Sequence, residues 1–361
     1  MPRGARKPTL ETVARAVGVS RATVSNAYNR PDQLSAELRA RILSTARQLG
    51  YPGPDPVARS LATRRATSVA VLLGAPLTEA LGDAALTTML DGVASVLDEH
   101  DHTLVLLPGY QDGGPRPQRV VRAHADLVLV ASLADGVPAL HAVAQRRLPL
   151  VVLDQPAVPG AARVEIDDEA GAVAAAEHLV ALGHRRFGIL ALPLSPDGGE
   201  GPVDPQRTAG ARFRVSLDRL VGYLRAIRLG RTGGGTDEVP TWEAPTGDQE
   251  AGRRGAHWLL RREPRPTALL CMSDELALGA MRAARDLGLD VPRQVSVVGF
   301  DDVPAAARAE VPLTTVHQPL VEKGLRAGEL ILEVLTGARP RRPVRLPVEL
   351  VTRASTTPPG A

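Results

Sequence analysis

Cysteine is almost absent from this chain of 361 residues: Cys271 stands alone. That excludes an internal disulfide framework and a cysteine-rich zinc site. Lysine is nearly as scarce, with only Lys7 and Lys323, and the other basic side chains are arginine. Arginine selected for phosphate forks is one reading of this. Bulk bias is the other, and the abundance of Ala, Gly and Pro along the whole chain favours it. Aromatic residues make up 2%, so a ligand ring would find little to stack on. No apolar run reaches the roughly 18 residues of a membrane span. The first nine residues are basic and polar, with no apolar segment behind them, so no secretory signal is expected. Together these absences describe a cytoplasmic protein with no membrane partner.

Hydrophobic residues are 44% of the chain, enough for real cores, and the length suggests two or three compact units. The net charge of +3 hides an uneven distribution. Residues 1–65 carry 12 Lys/Arg and 4 Asp/Glu, while the remainder carries 31 and 36. A basic N-terminus on an acidic body points to nucleic acid at that end. On charge alone, a solvated surface that binds nothing is the other reading.

The first sixty residues read as three short helices. Thr9 can cap a helix whose stripe is Leu10, Val13, Ala14 and Val17. Gly18 breaks it, with Val19 tucked beneath the turn. Ser20 caps a second helix running to about Asn29, with Val24 and Ala27 inward and Arg21, Ala22, Ser25 and Asn26 outward. Ser35 caps a third, with Leu38, Ile42 and Leu49 on one face and Gly50 closing it. Two helices across a tight Gly turn, braced by a third, form a helix-turn-helix unit. A protein-binding module would need an apolar patch. The exposed face of the second helix offers Arg, Ser, Thr and Asn instead, which suit phosphates and base edges.

In the body, short apolar runs alternate with amphipathic stretches. Ser68–Leu73, Leu104–Leu107, Leu127–Val130, Leu150–Leu153, Phe187–Leu192, Ala268–Met272 and Val295–Phe300 read as buried parallel strands. Leu86-Met89-Leu90-Val93-Val96-Leu97 and Val173-Ala176-Leu179-Val180 read as helices between them. This is a doubly wound α/β pattern, long enough for two sheets, with ligands expected at the carboxyl ends of strands. Asp154, Ser273, Asp274 and Asp301 follow strands; Asp274 is read as the cap of a following helix. Asp302 is read as a loop or interface residue. Residues 194–214 are a Gly/Pro/charged stretch with no clear element, either covering a pocket or dangling.

The segment Thr9–Asn26, with its Ala-x-x-x-Gly-Val-Ser-x-x-Thr-Val-Ser pattern, resembles the headpiece of the lactose–galactose repressor (LacI/GalR) family. Leu49-Gly50-Tyr51-Pro52 and Val57-Ala58-Arg59-Ser60-Leu61-Ala62 match it too. So do Glu177–Arg186, Val291–Asp302 and Leu313–Pro319 in the body, so the likeness covers nearly the whole chain. It implies an N-terminal all-α helix-turn-helix headpiece and an α/β periplasmic-binding-protein-like body of two doubly wound parallel-sheet subdomains. It implies a transcriptional regulator, a repressor, acting as a homodimer on a double-stranded, pseudo-palindromic operator. By position, Arg21, Ala22 and Asn26 are base-reading, and Thr9, Ser20, Thr23, Ser25 and Asn29 hold phosphates. Many relatives have Arg at the place of Asn26, which implies a different half-site. Val57, Ala58 and Leu61 belong to a hinge that enters the minor groove, Leu61 as a wedge; taken alone the stretch could be a plain linker. Asp154, Arg219 (in Arg-x-x-Gly-aromatic), Ser273 and Asp301 would surround a small-molecule effector: a sugar, nucleoside or related polar metabolite. The implied division is 1–53 headpiece, 54–66 hinge and linker, and 67–361 body. The body's subdomains are roughly 67–166 with 320–347, and 167–317 with 348–361.

Enzymatic chemistry finds no support. Asp167-Asp168-Glu169 could suggest acid–base or metal work but reads better as a helix cap and dipole complement. His178 and His184 lack an acidic or thiol partner at ligand spacing. There is no Gly-x-Ser-x-Gly elbow and no Walker loop, and Cys271 reads as a core thiol. A transport binding protein is disfavoured by the headpiece. No catalytic residue, metal or cofactor is implied. Pro343–Val351 reads as one strand after a helix over Leu320–Leu335. No leucine heptads follow it, which points to a dimer and not a tetramer.

Overall fold

The computed structural model describes residues 8–29, 31–53, 68–110, 113–230, 238–339 and 342–360. Two compact units divide the chain, Met1–Ala66 and Thr67–Ala361.

The first unit holds α1 (Leu10–Val17), α2 (Arg21–Asn29), a 3-10 turn (Pro31–Gln33) and α3 (Ala36–Gln48). Thr9 and Thr12 form a reciprocal capping box at the start of α1. Gly18 ends α1 at φ +76°, a left-handed conformation that glycine adopts without steric cost. Ser20 Oγ accepts from Thr23 N at 3.0 Å and so starts α2. Val13, Ala14, Val24, Ala27, Ile42 and Ala46 make the buried core. Leu49 departs from the expected face: it follows the last helical residue and remains 39% exposed. Ala46, one turn after Ile42, takes the inward place.

The second unit alternates strand and helix. Its first part runs β1 (Ser68–Leu73), α4 (Leu77–Gly82), α5 (Ala84–Asp98), β2 (Thr103–Leu107), α6 (Pro117–Arg122), β3 (Leu127–Ala131), α7 (Pro138–Arg146), β4 (Leu150–Leu153) and β5 (Ala162–Ile166). Next come α8 (Asp168–Ala181), β6 (Phe187–Ala191), β7 (Gly201–Pro202), α9 (Pro205–Ala209), α10 (Arg214–Gly230), β8 (Thr241–Glu243), α11 (Gln249–Leu260), β9 (Ala268–Cys271), α12 (Asp274–Asp286), β10 (Ser296–Asp301), α13 (Pro304–Arg308) and β11 (Thr314–His317). The chain then returns through α14 (Leu320–Leu335), β12 (Val344–Leu346) and β13 (Glu349–Val351).

Two sheets result. The first has the order β12-β5-β4-β3-β1-β2 and is parallel throughout. The second has the order β13-β11-β10-β9-β6-β8-β7, parallel in the centre, with antiparallel strands β13 and β7 at its edges. Central strands such as Val69–Leu73 and Phe187–Ala191 are buried along their whole length, because helices cover both faces. The stretch 343–351, expected as one strand, breaks at Pro347: β12 joins the first sheet and β13 the second. Proline has no N–H for a ladder, so the switch falls where pairing is already lost. The chain therefore passes between the sheets at β5–α8, at β11–α14 and at β12–β13.

Candidate functional site

In the headpiece, Arg21 and Ala22 are exposed at the start of α2, and Asn26 lies one turn beyond Ala22, half-buried. Arg21 Nε stands 3.5 Å from Glu11 Oε2 with both side chains largely exposed, a pair weak enough to exchange for another partner. Asn26 Nδ2 donates to Gln33 Oε1 at 3.3 Å. The hydroxyls of Thr9 and Ser20 accept backbone N–H groups from the first turns of α1 and α2. A hydroxyl that accepts in a cap retains a proton to donate. Thr9, Ser20 and Thr23 are thus held by the fold, and in the 2.9 Å hydroxyl pair of Ser20 and Thr23 one of the two protons remains free to donate outward. Ser25 is half-buried. Asn29 closes α2, and Val57, Ala58 and Leu61 lie outside the described residues.

In the body, one polar network links the two sheets. Arg219, on α10, is 4% exposed. Its Nε donates to Asp168 Oδ1 at 2.8 Å, and Nη1 donates to the Met272 carbonyl and lies 3.7 Å from Asp301 Oδ1. Its guanidinium rests on the Phe300 ring, 3.6 Å from the centroid. Asp301 Oδ1 accepts from Gln318 Nε2 at 2.6 Å, and Gln318 Oε1 accepts from Lys323 Nζ at 2.6 Å. Lys323 Nζ in turn stands 2.7 Å from Asp154 Oδ1, at the end of β4, in an ion pair angled away from hydrogen-bond alignment. Asp154 and Asp301 both take positive φ, +61° and +117°. Non-glycine residues pay for that conformation, and such strain gathers at functional sites.

The network contains three of the four residues that the sequence singled out: Asp154, Arg219 and Asp301. The fourth, Ser273, is the N-cap of α12, accepting from Leu276 N at 3.2 Å. Asp274 was expected in that capping role. Its carboxylate instead accepts from Val303 N and the Thr315 hydroxyl, tying the loop after β10 to the helix. Asp168 also exceeds its expected role as a dipole complement. Asp167 caps α8, and Asp168 turns inward onto Arg219. Lys323 and Gln318 were not anticipated; the signal available was a lone lysine at an inward position of α14, in a chain that otherwise uses arginine.

Burial dominates the electrostatics. It raises the Asp168 carboxyl against the pull of Arg219, and raises Asp274 well above the usual range, with Asp301 adding to the effect. Asp301 is pushed up to about 7, burial outweighing Arg219. Asp83 is exposed at the start of α5, and desolvation raises it too, opposed by the backbone N–H groups of its own helix and by Arg219. Glu79 is raised by burial and then by Asp248 and Asp83. Asp83 and Glu79 come from the first sheet's helices and Asp248 from the second's, so acidic side chains face each other between the sheets. Phe300 and Tyr223 are fully buried. The one lies under Arg219; the other donates to the Cys271 carbonyl at 3.2 Å.

Residues 194–214 are built into the second sheet. β7 pairs with β8. Glu243, 1% exposed, accepts from Leu194 N and from Arg207, both at 2.9 Å. Arg212 donates to the Asp135 carbonyl at 2.7 Å and Phe213 packs on the first sheet's core. The segment therefore spans from one sheet to the other. Among the described residues no group of three His, Cys, Asp or Glu side chains could hold a metal ion, and no helix is long and apolar enough to cross a membrane.

A basic helix-turn-helix headpiece and a two-sheet periplasmic-binding-protein-like body define a DNA-binding transcription regulator. Residues 9–53 match the bacterial regulatory proteins of the lacI family, and residues 176–356 match the periplasmic binding protein-like domain. The chain belongs to the LacI family. It is 42% identical, over 99% of both chains, to the HTH-type transcriptional regulator Rv3575c of Mycobacterium tuberculosis. Among solved structures it resembles the lac repressor dimer bound to operator and the anti-inducer ONPF. The TM-score is 0.75 at 26% identity, over 98% of this chain and 100% of that one. It also resembles a complex of the transcriptional regulator CelR with cellobiose, with a TM-score of 0.67 at 28% identity over 96% and 99%.

Proposed function

We propose that this cytoplasmic protein is a repressor that binds a pseudo-palindromic operator as a homodimer and releases or engages it in response to a small hydroxyl-rich effector. The observation that carries the effector reading is the buried network Asp168–Arg219–Asp301–Gln318–Lys323–Asp154, which draws on both sheets at the carboxyl ends of their strands. Its carboxylates suit sugar hydroxyls and Arg219 suits an oxygen acceptor. Asp154, Arg219, Ser273 and Asp301 are the direct contacts in this reading. The cations are already matched by carboxylates, which favours an uncharged ligand over a phosphorylated one.

On DNA, Arg21 and Asn26 read base edges in the major groove, Ala22 meets a thymine methyl, and Thr9, Ser20, Thr23, Ser25 and Asn29 hold phosphates. Val57, Ala58 and Leu61 supply the minor-groove contact, with Leu61 as the wedge. Effector binding couples to DNA through its differential affinity for two closures of the body.

Selection of bound duplexes from a random pool at two salt concentrations tests the DNA half. An enriched pseudo-palindrome is the expected result; binding without an enriched sequence and with a steep salt slope overturns it. Asp301→Ala tests the effector half: operator affinity without ligand should persist while the ligand response is lost.

A further inference from the structure

Both tryptophans of this aromatic-poor chain sit together on the second sheet, away from the polar network. Trp242 belongs to β8 and Trp258 to α11, with ring centroids 4.9 Å apart. Gly255 makes the pairing possible: a Cβ there would come within 2.5 Å of the Trp242 ring, so the glycine lets the indole slot under the helix. Arg262 covers Trp258 from outside, its guanidinium carbon 4.5 Å from the ring centroid. The two indole planes are tilted by 40° to each other, and the Arg262 guanidinium lies over Trp258 at the carboxyl end of α11. This end lies beside the amino ends of the strands, because α11 runs back along the sheet. It is therefore at the opposite pole of the sheet from Arg219 and Asp301.

An open surface groove of about 580 Å³ lies there, lined by Arg254, His257, Trp258, Arg261, Arg262 and Glu263. Its charges are unevenly matched. Arg254 pairs with Glu200, and His257 Nε2 lies 3.1 Å from Asp286. Arg261 and Arg262 have no carboxylate partner among the described residues, and His257 Nδ1 is buried without a hydrogen-bond partner among them. Two uncompensated guanidiniums, an unsatisfied imidazole nitrogen and a flat stacking face are what an anion carrying a planar ring requires.

We infer that this groove is a second ligand site, distinct from the one between the sheets, and that it takes a nucleoside phosphate. The base lies on the outer face of the Arg262 guanidinium that covers Trp258, Arg261 grips the phosphate oxygens, and the sugar lies toward His257. The site reaches the rest of the body through α11, which packs on α12, the helix that Ser273 caps.

The two tryptophans make the test direct. Indole fluorescence of the full-length protein, excited at the red edge of its absorption, is titrated with ATP, adenosine and inorganic phosphate, and binding is repeated by calorimetry. ATP should give a saturable change, with adenosine and phosphate each weaker by about tenfold or more, since each keeps only one half of the recognition. Arg261→Ala with Arg262→Ala should weaken ATP by about tenfold to a hundredfold, with the melting temperature and operator affinity unchanged. Absence of saturable ATP binding overturns the site. So does ATP binding that survives the double substitution, and phosphate binding as tight as ATP removes the role of the stacking face.

Discussion

Lys323 Nζ lies 2.7 Å from Asp154 Oδ1, joining α14 to the end of β4, and the lysine is 1% exposed. A buried pair of this kind is costly to break from one side, because the remaining charge stays uncompensated. Lys323→Met should therefore lower unfolding free energy by about 3–5 kcal/mol. Adding Asp154→Leu to it should recover part of that loss, since the unpaired carboxylate is removed, while Gln318 Oε1 still lacks its donor and the leucine meets φ +61°. Urea denaturation of the two variants against the parent checks both expectations; a double variant as unstable as the single one contradicts the pairing.

Asp301 links stability to pH. Its carboxyl is raised to about 7 by burial, against the pull of Arg219, and Asp168 and Asp274 are displaced in the same direction. The folded protein then holds more protons than the unfolded chain between the ordinary carboxylate range and about 7. Stability falls as pH rises through that window and levels off above it. Asp301→Asn should flatten the slope. Thermal melts from pH 5 to 8 measure it; equal slopes in parent and variant contradict this electrostatic role.

Among the described residues Arg21 is held by an exposed contact with Glu11, so DNA can take it over cheaply. Arg21→Ala should cost about 1–3 kcal/mol at one base pair of the half-site and little on other sequences. Competition binding with single-base operator variants reads this. Equal loss on every duplex would make Arg21 a phosphate contact.

Glu243 anchors residues 194–214 through Leu194 N and Arg207. Glu243→Ala leaves the buried Leu194 N–H unmatched and removes the carboxylate from Arg207, which keeps its bond to the Gly199 carbonyl, at a cost of about 1–3 kcal/mol. The segment should become the first site of proteolytic cleavage, which mass spectrometry of limited digests locates. An unchanged cleavage pattern would show that β7, Arg212 and Phe213 retain it without Glu243.

The residues that were legible in the sequence were those governed by local rules. Caps at Thr9, Ser20 and Ser35, the stop at Gly18, and long apolar strands such as Ser68–Leu73 depend on chain neighbours within a few positions. β8 escaped periodicity because three residues hold too little pattern, and β11 because its Thr-Thr-Val-His has a single apolar residue. β5 escaped because Arg163 and Glu165 interrupt its apolar residues and pair with each other at 2.8 Å.

The sequence alone determined that a small basic three-helix headpiece precedes an α/β body, because helix caps, glycine stops and hydrophobic period act over a turn or a strand. It also determined which loops carry the acidic residues. The tertiary structure decided what those residues do: that Ser273 caps while Asp274 ties a loop, that Asp168 meets Arg219, and that Lys323 reaches Asp154 from α14. These pairings join residues up to 169 positions apart. Their energetics depend on burial and on the approach of the two sheets, and neither quantity is a function of nearby sequence.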